Sequence, residues 1–194
     1  MCTACPAELA RDLDGTFATL VAHHQDLVYG IALRWTHRPA DAEDLAQDAF
    51  LRAYRALRGY EKGRIAALHV RGWLARIVLN LAHNRARRAD PVTASLDPAA
   101  DPASDPPDGS RDRPEAISER REDARRWGEL LADLPPRYRV AVALRHVDGL
   151  TYEELAVALD RPVNTVKSDV HRGVRLLRAA YERTQPNDTT EVAR

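Results

Sequence analysis

The 194-residue sequence has few cysteines, few aromatic residues and no long apolar run. Its two cysteines, Cys2 and Cys5, stand close together at the start of the chain, so a disulfide framework is excluded and a zinc ribbon lacks its second pair. No run approaches the ~18 apolar residues of a membrane-spanning helix. Residues 1–14 also lack the apolar stretch of a secretory signal. We therefore expect a cytoplasmic protein with no membrane partner.

Sequence signatures of catalysis are missing as well. There is no glycine-rich phosphate loop, no His-Glu-x-x-His and no Gly-x-Ser-x-Gly. The seven histidines are scattered, and His23 and His24 fall in a helical pattern where packing explains them better than metal binding. We expect no enzyme activity, no cofactor and no metal. We interpret Cys2 and Cys5 as part of a tail in which they have no chemical role. A redox or metal-binding role is the alternative.

The zero net charge hides a strong segregation of charge along the chain. Residues 61–89 carry net +6 and residues 161–183 net +4, whereas residues 90–123 carry net −6. Residues 90–123 also hold six of the twelve prolines and no aromatic residue, a composition that cannot build a core and is typical of a flexible linker. The two basic segments are candidate contacts to a polyanion, with ordinary solvated helix faces as the alternative.

The apolar residues recur at spacings of three and four residues, which predicts helices. The expected fold is all-α, with two small helical domains joined by a Pro/Asp-rich flexible linker. Helices are predicted over residues 17–35, 41–57, 72–88, 125–134, 137–147, 151–159 and 163–181. The expected organisation is a flexible tail (1–13), a first domain (14–89), the linker (90–123), a second domain (124–183) and a C-terminal tail (184–194).

The second domain has the pattern of a helix-turn-helix. Thr151 and Glu154 form a capping box, and Pro162 stands at the expected start of the last helix. On that helix an apolar stripe is predicted to pack inward: Val163, Val166, Val170, Val174 and Leu177. A separate polar face suits phosphates and base edges: Asn164, Lys167, Ser168, His171, Arg172, Arg175 and Arg178. Asp169 is expected at the flank of that face, where it would tune affinity or point away from phosphate. An amphipathic surface helix is the alternative.

In the first domain, the helix over 72–88 is expected to bury Leu74, Ile77, Val78 and Leu81. Its opposite face would combine a base-stacking ring, amides and cations, as single-strand-binding surfaces do: Trp73, Arg76, Asn80, His83, Asn84 and Arg87. The alternative is that Trp73 caps the core. The loop over 60–70 adds Tyr60, Lys62 and Arg64 and could hold a flipped base.

The helix over 41–57 is predicted to bury a small-residue stripe: Ala42, Leu45, Ala46, Ala49 and Ala53. Its outward face places an exposed leucine among charged and amide groups, which favours a protein interface over a solvated face or a carboxylate metal site: Asp44, Gln47, Asp48, Leu51 and Arg55.

Three segments in this order resemble the two-domain, extracytoplasmic-function (ECF) family of bacterial RNA polymerase sigma factors. They are PADAEDLAQDAFLRAYRAL (39–57), GWLARIVLNLAHNRARR (72–88) and LPPRYRVAVALRHVDGLTYEELAVALDRPVNTVKSDVHRGVRLLR (134–178). The resemblance implies a dissociable initiation subunit that directs core polymerase to promoters and assists melting. His83, Asn164 and Asp169 depart from the residues common in the family.

The resemblance also implies roles for residues. Asp44, Gln47, Asp48, Leu51 and Arg55 would bind the clamp helices of core RNA polymerase, whose flap region is a second contact. The minus-ten element would meet Tyr60, Lys62, Arg64, Trp73, Arg76, Asn80, His83, Asn84, Arg87 and Arg88. The minus-thirty-five element would meet Asn164, Lys167, Ser168, His171, Arg172 and Arg175. An anti-sigma factor is a further expected partner. The alternative is a stand-alone helix-turn-helix regulator.

Overall fold

A computed structural model describes residues 6–89, 128 and 130–184. The described residues form helices and their connections, with no strand among them. The first domain contains α1 (Pro6–Arg11), α2 (Leu13–Thr36), α3 (Pro39–Arg58), α4 (Lys62–Ala66) and α5 (Val70–Ala89). The second contains a helical stretch at 128 and 130–132, then α6 (Pro136–His146), α7 (Tyr152–Leu159) and α8 (Val163–Thr184). The predicted linker, the C-terminal tail from 185 and both cysteines lie outside the described residues.

The core of the first domain is built where α2, α3 and α5 pack against one another. The left-handed backbone of His37 (φ 57°) ends α2, and Pro39 opens α3 two residues later. The small-residue stripe of α3 is buried as predicted, because alanines at 42, 46, 49 and 53 let neighbouring helices approach closely. Leu74, Val78 and Leu81 are buried in α5 as well, while Ile77 is half-buried.

Two segments of the first domain are more ordered than the sequence predicted. Residues 1–13 were expected to be a flexible tail, yet residues 6–11 form α1, which packs on α4 and buries Leu9. The expected loop over 60–70 contains α4, whose Ile65 joins the core. Short helices of five and six residues carry little periodic signal, so tertiary packing decides them.

The second domain has the predicted helix-turn-helix. The capping box opens α7: the Thr151 hydroxyl accepts from the Glu154 N–H (3.2 Å), and the Thr151 N–H donates to the Glu154 carboxylate (2.8 Å). Asp160 ends α7 in the left-handed region (φ 53°), and α8 begins at Val163, as predicted, directly after Pro162. Gly173 lets α8 approach α6, because a Cβ there would lie 2.4 Å from a Val142 methyl carbon.

The two domains share one continuous apolar core. It runs from the buried face of α5, with Leu74 and Val78, into Leu155 of α7 and Val166 of α8. The main junction is between α5 and α7. At its centre the backbones nearly touch, since a Cβ on Gly72 would lie 2.4 Å from the Glu154 carbonyl oxygen.

Candidate nucleic-acid and protein interfaces

The polar face of α8 is fully presented to solvent. Every one of its seven predicted members is exposed: Asn164, Lys167, Ser168, His171, Arg172, Arg175 and Arg178. Its N-terminal end is anchored, because the Lys167 ammonium lies 5.5 Å from the centre of the Tyr152 ring. The rest of the face is a row of cations, an amide and a hydroxyl on a rigid helix. That arrangement can contact phosphates and the edges of bases in a major groove.

Asp169 does not sit at the flank of that face, as the sequence predicted. It is fully buried beneath α8, where its carboxylate accepts from Arg137 Nε (2.9 Å) and Arg161 (3.1 Å). The bonds to Asp169 raise the pKa of the Arg137 guanidinium. The carboxylate thus ties α8 to the start of α6 and to the turn before α8. It orients the helix and touches no ligand surface.

The apolar stripe of α8 is also only partly buried. Val166, Val170 and Leu177 are buried and Val163 is half-buried, but Val174 is exposed, against prediction. Val174 instead lines an open apolar groove of about 510 Å³ together with Leu131, Val142, His146, Val147, Leu177, Arg178 and Tyr181. Val147 is 61% exposed. An exposed apolar surface of this kind is typical of a protein-binding site.

The far end of α5 carries the exposed part of the candidate DNA face. Asn80, Asn84, Arg87 and Arg88 are exposed there. Arg76, nearer the start of the helix, is half-buried because its guanidinium pairs with Asp160 of the second domain at 2.9 Å. The amides and terminal arginines are therefore free to meet a nucleic-acid strand, whereas Arg76 is engaged within the chain.

Trp73 is not the exposed stacking ring that the helical wheel predicted. Only 8% of it is exposed, and it belongs to the core near Tyr60, with the ring centres 6.1 Å apart. The alternative weighed for the sequence, that Trp73 caps the core, describes its position. A helical wheel misplaced it because the wheel treats α5 as an isolated helix, whereas in the folded domain the ring belongs to the core and Tyr60 packs beside it.

His83 is half-buried and faces the core rather than solvent. Its ring meets Trp35 edge to face, with centres 4.7 Å apart, and its Nε2 atom has no hydrogen-bond partner among the described residues. Burial lowers the pKa of His83, which favours the neutral ring. His83 is therefore a packing residue in this structure.

The segment before α5 places two of its three candidate residues in contact. The Arg64 guanidinium lies over the Tyr60 ring at 3.8 Å, and Tyr60 is half-buried, while Lys62 is exposed. This cation–π stack holds an aromatic face and a cation side by side next to α5. The pair can receive a base on the ring edge and a phosphate on the guanidinium.

The outward face of α3 is exposed as predicted. Asp44, Gln47 and Arg55 are exposed, and Leu51 shows 53% of its surface. Asp48 is half-buried because it pairs with Arg85 of α5 at 2.6 Å. This pairing fixes α3 against α5 and leaves Asp44, Gln47 and Leu51 as an accessible patch for a protein partner.

Among the residues that the structure describes, histidine and acidic side chains build no metal site. His24 is buried, and its pKa is lowered by burial first and by the nearby Arg71 charge second. The described part of the chain contains no group of three or more His, Cys, Asp or Glu residues that could hold a metal ion. None of the described helices combines the length and apolarity that crossing a bilayer requires.

Comparison with known proteins assigns both domains. Family models match the chain twice: Sigma-70 region 2 over residues 20–92 and Sigma-70 region 4 over residues 124–177. These two regions define a sigma-70-type RNA polymerase initiation factor, a regulatory subunit rather than a catalyst by itself. The helices that carry the candidate faces, α3, α5 and α8, all lie mainly within the matched ranges.

Individual similar proteins show which group of sigma-70-type factors the chain resembles. The chain is 37% identical over 162 residues to the ECF RNA polymerase sigma factor SigE of Mycolicibacterium smegmatis, covering 82% of this chain and 59% of that protein. It is 32% identical over 160 residues to the RNA polymerase sigma-H factor of Pseudomonas aeruginosa, covering 80% and 81%. The protein belongs to the extracytoplasmic-function sigma factors. The resemblance predicted from sequence is confirmed, and the alternative of a stand-alone helix-turn-helix regulator is not supported.

Two solved structures share the fold. CnrH, solved in complex with the cytosolic domain of CnrY, superposes with a TM-score of 0.64 at 23% identity, covering 93% of this chain and 97% of CnrH. The sigma factor RpoE of Bartonella quintana, solved with the anti-sigma factor NepR, gives 0.61 at 20% identity, covering 87% and 98%.

Several arginines that organise these surfaces were missed from the sequence. Arg85 fixes α3 against α5, while Arg34 and Arg71 join the first domain to the second. Their partners lie 37 to 114 residues away in the chain. No local pattern marks such long-range pairs, although an arginine at half-buried positions of a helix wheel was an available hint.

Proposed function

We propose that this chain directs core RNA polymerase to promoters through three surfaces: the outward face of α3, the far end of α5 and the polar face of α8. The observation that carries the proposal is the ordered pair of sigma regions, each with an exposed face of suitable chemistry. The chain itself performs no catalysis and needs no cofactor. It acts in the cytoplasm, where the polymerase and the promoter are.

The α3 patch is assigned to the clamp helices of core polymerase. Asp44 and Gln47 offer hydrogen-bond acceptors and donors around the exposed Leu51, so the patch has an apolar contact with a polar rim, as protein interfaces do. The apolar groove around Val147 and Val174 is assigned to the flap region, the second polymerase contact. Together they hold the two domains on one enzyme.

Promoter recognition is divided between the domains. The α8 face reads the duplex minus-thirty-five element, whereas the amides and arginines of α5 and the Tyr60–Arg64 stack hold the opened minus-ten strand. Melting is driven by binding energy, because stacking and phosphate contacts favour the unpaired strand. His83 and Trp73 support this surface from the core side. Arg76 joins it only when Asp160 releases it.

Transcription with purified core polymerase tests the assignment. With the wild-type chain, RNA synthesis is expected to initiate at a discrete promoter. The double variant Asp44→Ala with Gln47→Ala is expected to reduce the amount of RNA initiated there at least tenfold. The exposed pair Glu8→Gln and Gln25→Ala, outside the patch, is the matched control. If the α3 variant yields as much RNA from the promoter as the wild-type chain, the assignment of this patch to the clamp helices is wrong.

The α8 face has its own test. Arg172→Ala should weaken binding to the minus-thirty-five element by about 1–3 kcal/mol if it makes a base-edge contact. The exposed Arg183→Ala, at the end of the same helix, should have little effect. Holoenzyme binding to promoter fragments with single substitutions in the element measures both, and equal losses for the two variants would contradict the assignment.

An anti-sigma partner is also proposed. The similar structures CnrH and RpoE are each described in complex with a protein partner, in RpoE's case an anti-sigma factor. The same apolar groove and α3 patch offer the exposed surface that such a partner would compete for.

A further inference from the structure

The helix α1 packs on a helix that carries part of the candidate minus-ten surface. Among the described helices, α1 is the one on which α4 mainly packs. Leu9 of α1 is 1% exposed and Ile65 of α4 is 4% exposed, and both belong to the same apolar core. The remaining residues of α4 are exposed. The short helix α4 is therefore held on the domain mainly through α1 and through one buried side chain of its own.

The helix α4 is too short to be stable by itself. It has five residues, and a helix of this length does not form in water without packing. Its turn is marked by two backbone hydrogen bonds: the Ile65 N–H donates to the Glu61 carbonyl oxygen (3.1 Å), and the Ala67 N–H donates to that of Gly63 (3.2 Å). Contacts from outside the segment must maintain this turn, and α1 supplies them.

The junction between α1 and α2 gives α1 a fixed direction. Asp12 is the single residue between the two helices. Its N–H donates to the Glu8 carbonyl oxygen at 2.9 Å, and its carboxylate accepts from the Gly15 N–H at 3.0 Å. Because Asp12 is bonded to both helices, α1 is oriented by α2, the long helix of the first domain.

The Tyr60–Arg64 stack joins a residue fixed by other helices to a residue carried by α4. The Tyr60 N–H donates to the Leu57 carbonyl oxygen at the end of α3 (3.1 Å), and the Tyr60 ring lies near Trp73 of α5. Arg64 belongs to α4, and its guanidinium lies 3.8 Å from the centre of the Tyr60 ring. The geometry of the stack therefore depends on where α4 lies.

We propose that α1 is a docking element that holds α4 in place and thereby sets the Tyr60–Arg64 stack, with Leu9 as the positioning residue. Leu9 acts through α4 and touches no nucleic acid. A ring and a cation that are held together before binding lose less conformational freedom when they bind. The effect on DNA rests on the function proposed above, in which the stack holds the opened minus-ten strand, whereas the docking of α4 by α1 does not.

Hydrogen exchange of the full chain tests the docking without nucleic acid. Leu9→Ala should raise the exchange rates of the Ile65 and Ala67 amides at least about tenfold, because truncating a buried leucine weakens the contact that protects the turn. Leu9→Met nearly conserves the side-chain volume and should restore the protection.

Two control variants separate docking from general stability. Glu8→Ala changes an exposed residue on the same helix as Leu9. Ile31→Ala removes as many carbon atoms from the same core, about 27 Å along α2 from its first residue. Neither control should selectively raise exchange at α4.

Binding of the holoenzyme to an unpaired minus-ten strand tests the effect on DNA. The probes are promoter fragments with a single abasic site at each unpaired position in turn. The wild-type holoenzyme should lose affinity at least about fivefold at the position whose base meets the Tyr60 ring, and Tyr60→Leu should identify that position by abolishing the loss there. Leu9→Ala should greatly reduce the loss at that position and leave the losses at other positions unchanged.

A double variant shows whether Leu9 acts through the stack. Leu9→Ala combined with Tyr60→Leu should bind the intact fragment no more weakly than Tyr60→Leu alone, because both changes act on one contact. Leu9→Met should bind as the wild type does. If circular dichroism shows Leu9→Ala to be unfolded, Leu9→Val loses a single methylene and should change the same two measurements at least about twofold in the same direction.

Three results would overturn the proposal: unchanged exchange at α4 in a folded Leu9 variant, faster exchange with an unaltered abasic loss at the Tyr60 position, or equal effects of Leu9→Ala and Ile31→Ala. A wild-type holoenzyme that loses no affinity at any abasic position would instead contradict the function proposed for the stack. The exchange comparison would still decide whether α1 docks α4.

Discussion

At the scale of single residues, burial decides roles that side-chain chemistry leaves open. Trp73 and Asp169 both belong to helices with candidate DNA faces, and both turn inward. Asp169 in particular is a negative charge on a recognition helix, which would repel phosphate if exposed. Because Arg137 and Arg161 enclose it, its charge is neutralised within the fold and supports the cationic face above it.

Asp169→Asn should therefore weaken both the second domain and its DNA contact. Removing one member of a buried ion pair typically costs about 3–5 kcal/mol, and asparagine, which keeps one acceptor, should lose the lower part of that range. Thermal unfolding and binding to a minus-thirty-five fragment measure the two effects. Glu182→Gln, an exposed acid on the same helix, is the control. Equal stability of the two variants would contradict the supporting role.

Buried histidines predict a pH dependence of stability. Burial lowers the pKa values of His24 and His83, so the folded chain keeps both rings neutral where the unfolded chain begins to protonate them. Stability should hold above pH of about 6.5 and decrease as the pH falls below it. Denaturant titrations between about pH 7.5 and 5.5 measure the slope.

His24→Gln should flatten that slope, while Gln25→Ala, an exposed change on the same helix, should leave it unchanged. The groups around His24 are Arg71 on α5, Glu154 on α7 and His23 on its own helix. Asp148 acts in the opposite sense, because burial raises its pKa and acid then favours the folded state. A slope unaffected by His24→Gln would assign the pH dependence to other groups.

At the scale of helices, local signals set the boundaries well. The capping box at Thr151, the left-handed ends at His37 and Asp160 and the proline at the start of α3 are local features. The helical period predicted α3, α5 and α8 to within two or three residues. It failed for α1 and α4, which are too short to show a period, and for Val174, whose apolar side chain is left at the surface.

The cap of α7 gives an element-scale prediction. Thr151→Ala removes the acceptor for the Glu154 N–H and should cost about 1 kcal/mol of unfolding free energy. Thr151→Ser keeps the acceptor and should cost little. Chemical denaturation followed by far-UV circular dichroism compares the two. Indistinguishable midpoints for alanine and serine would show that α7 is held by packing with α5 alone.

At the scale of the whole molecule, the shared core couples two domains that the sequence presents as separate. Because apolar contacts continue from α5 into α7 and α8, the wild-type chain should unfold in one cooperative calorimetric transition. Gly72→Ala should split this into two, since its domains no longer stabilise each other. A wild-type chain with two separate transitions, or a Gly72→Ala chain with one, would contradict the coupling.

The helical class, the order of the two domains, the helix-turn-helix and the exposed polar face of α8 could all be predicted from the amino-acid sequence. These follow from period, capping and charge, which act between residues a few positions apart. Three features depend on the folded chain: Trp73 is buried, Asp169 joins two arginines, and α7 covers α5. Such contacts join different elements, as Arg137 and Asp169 do across 32 positions, and their energy depends on which surfaces the chain brings together.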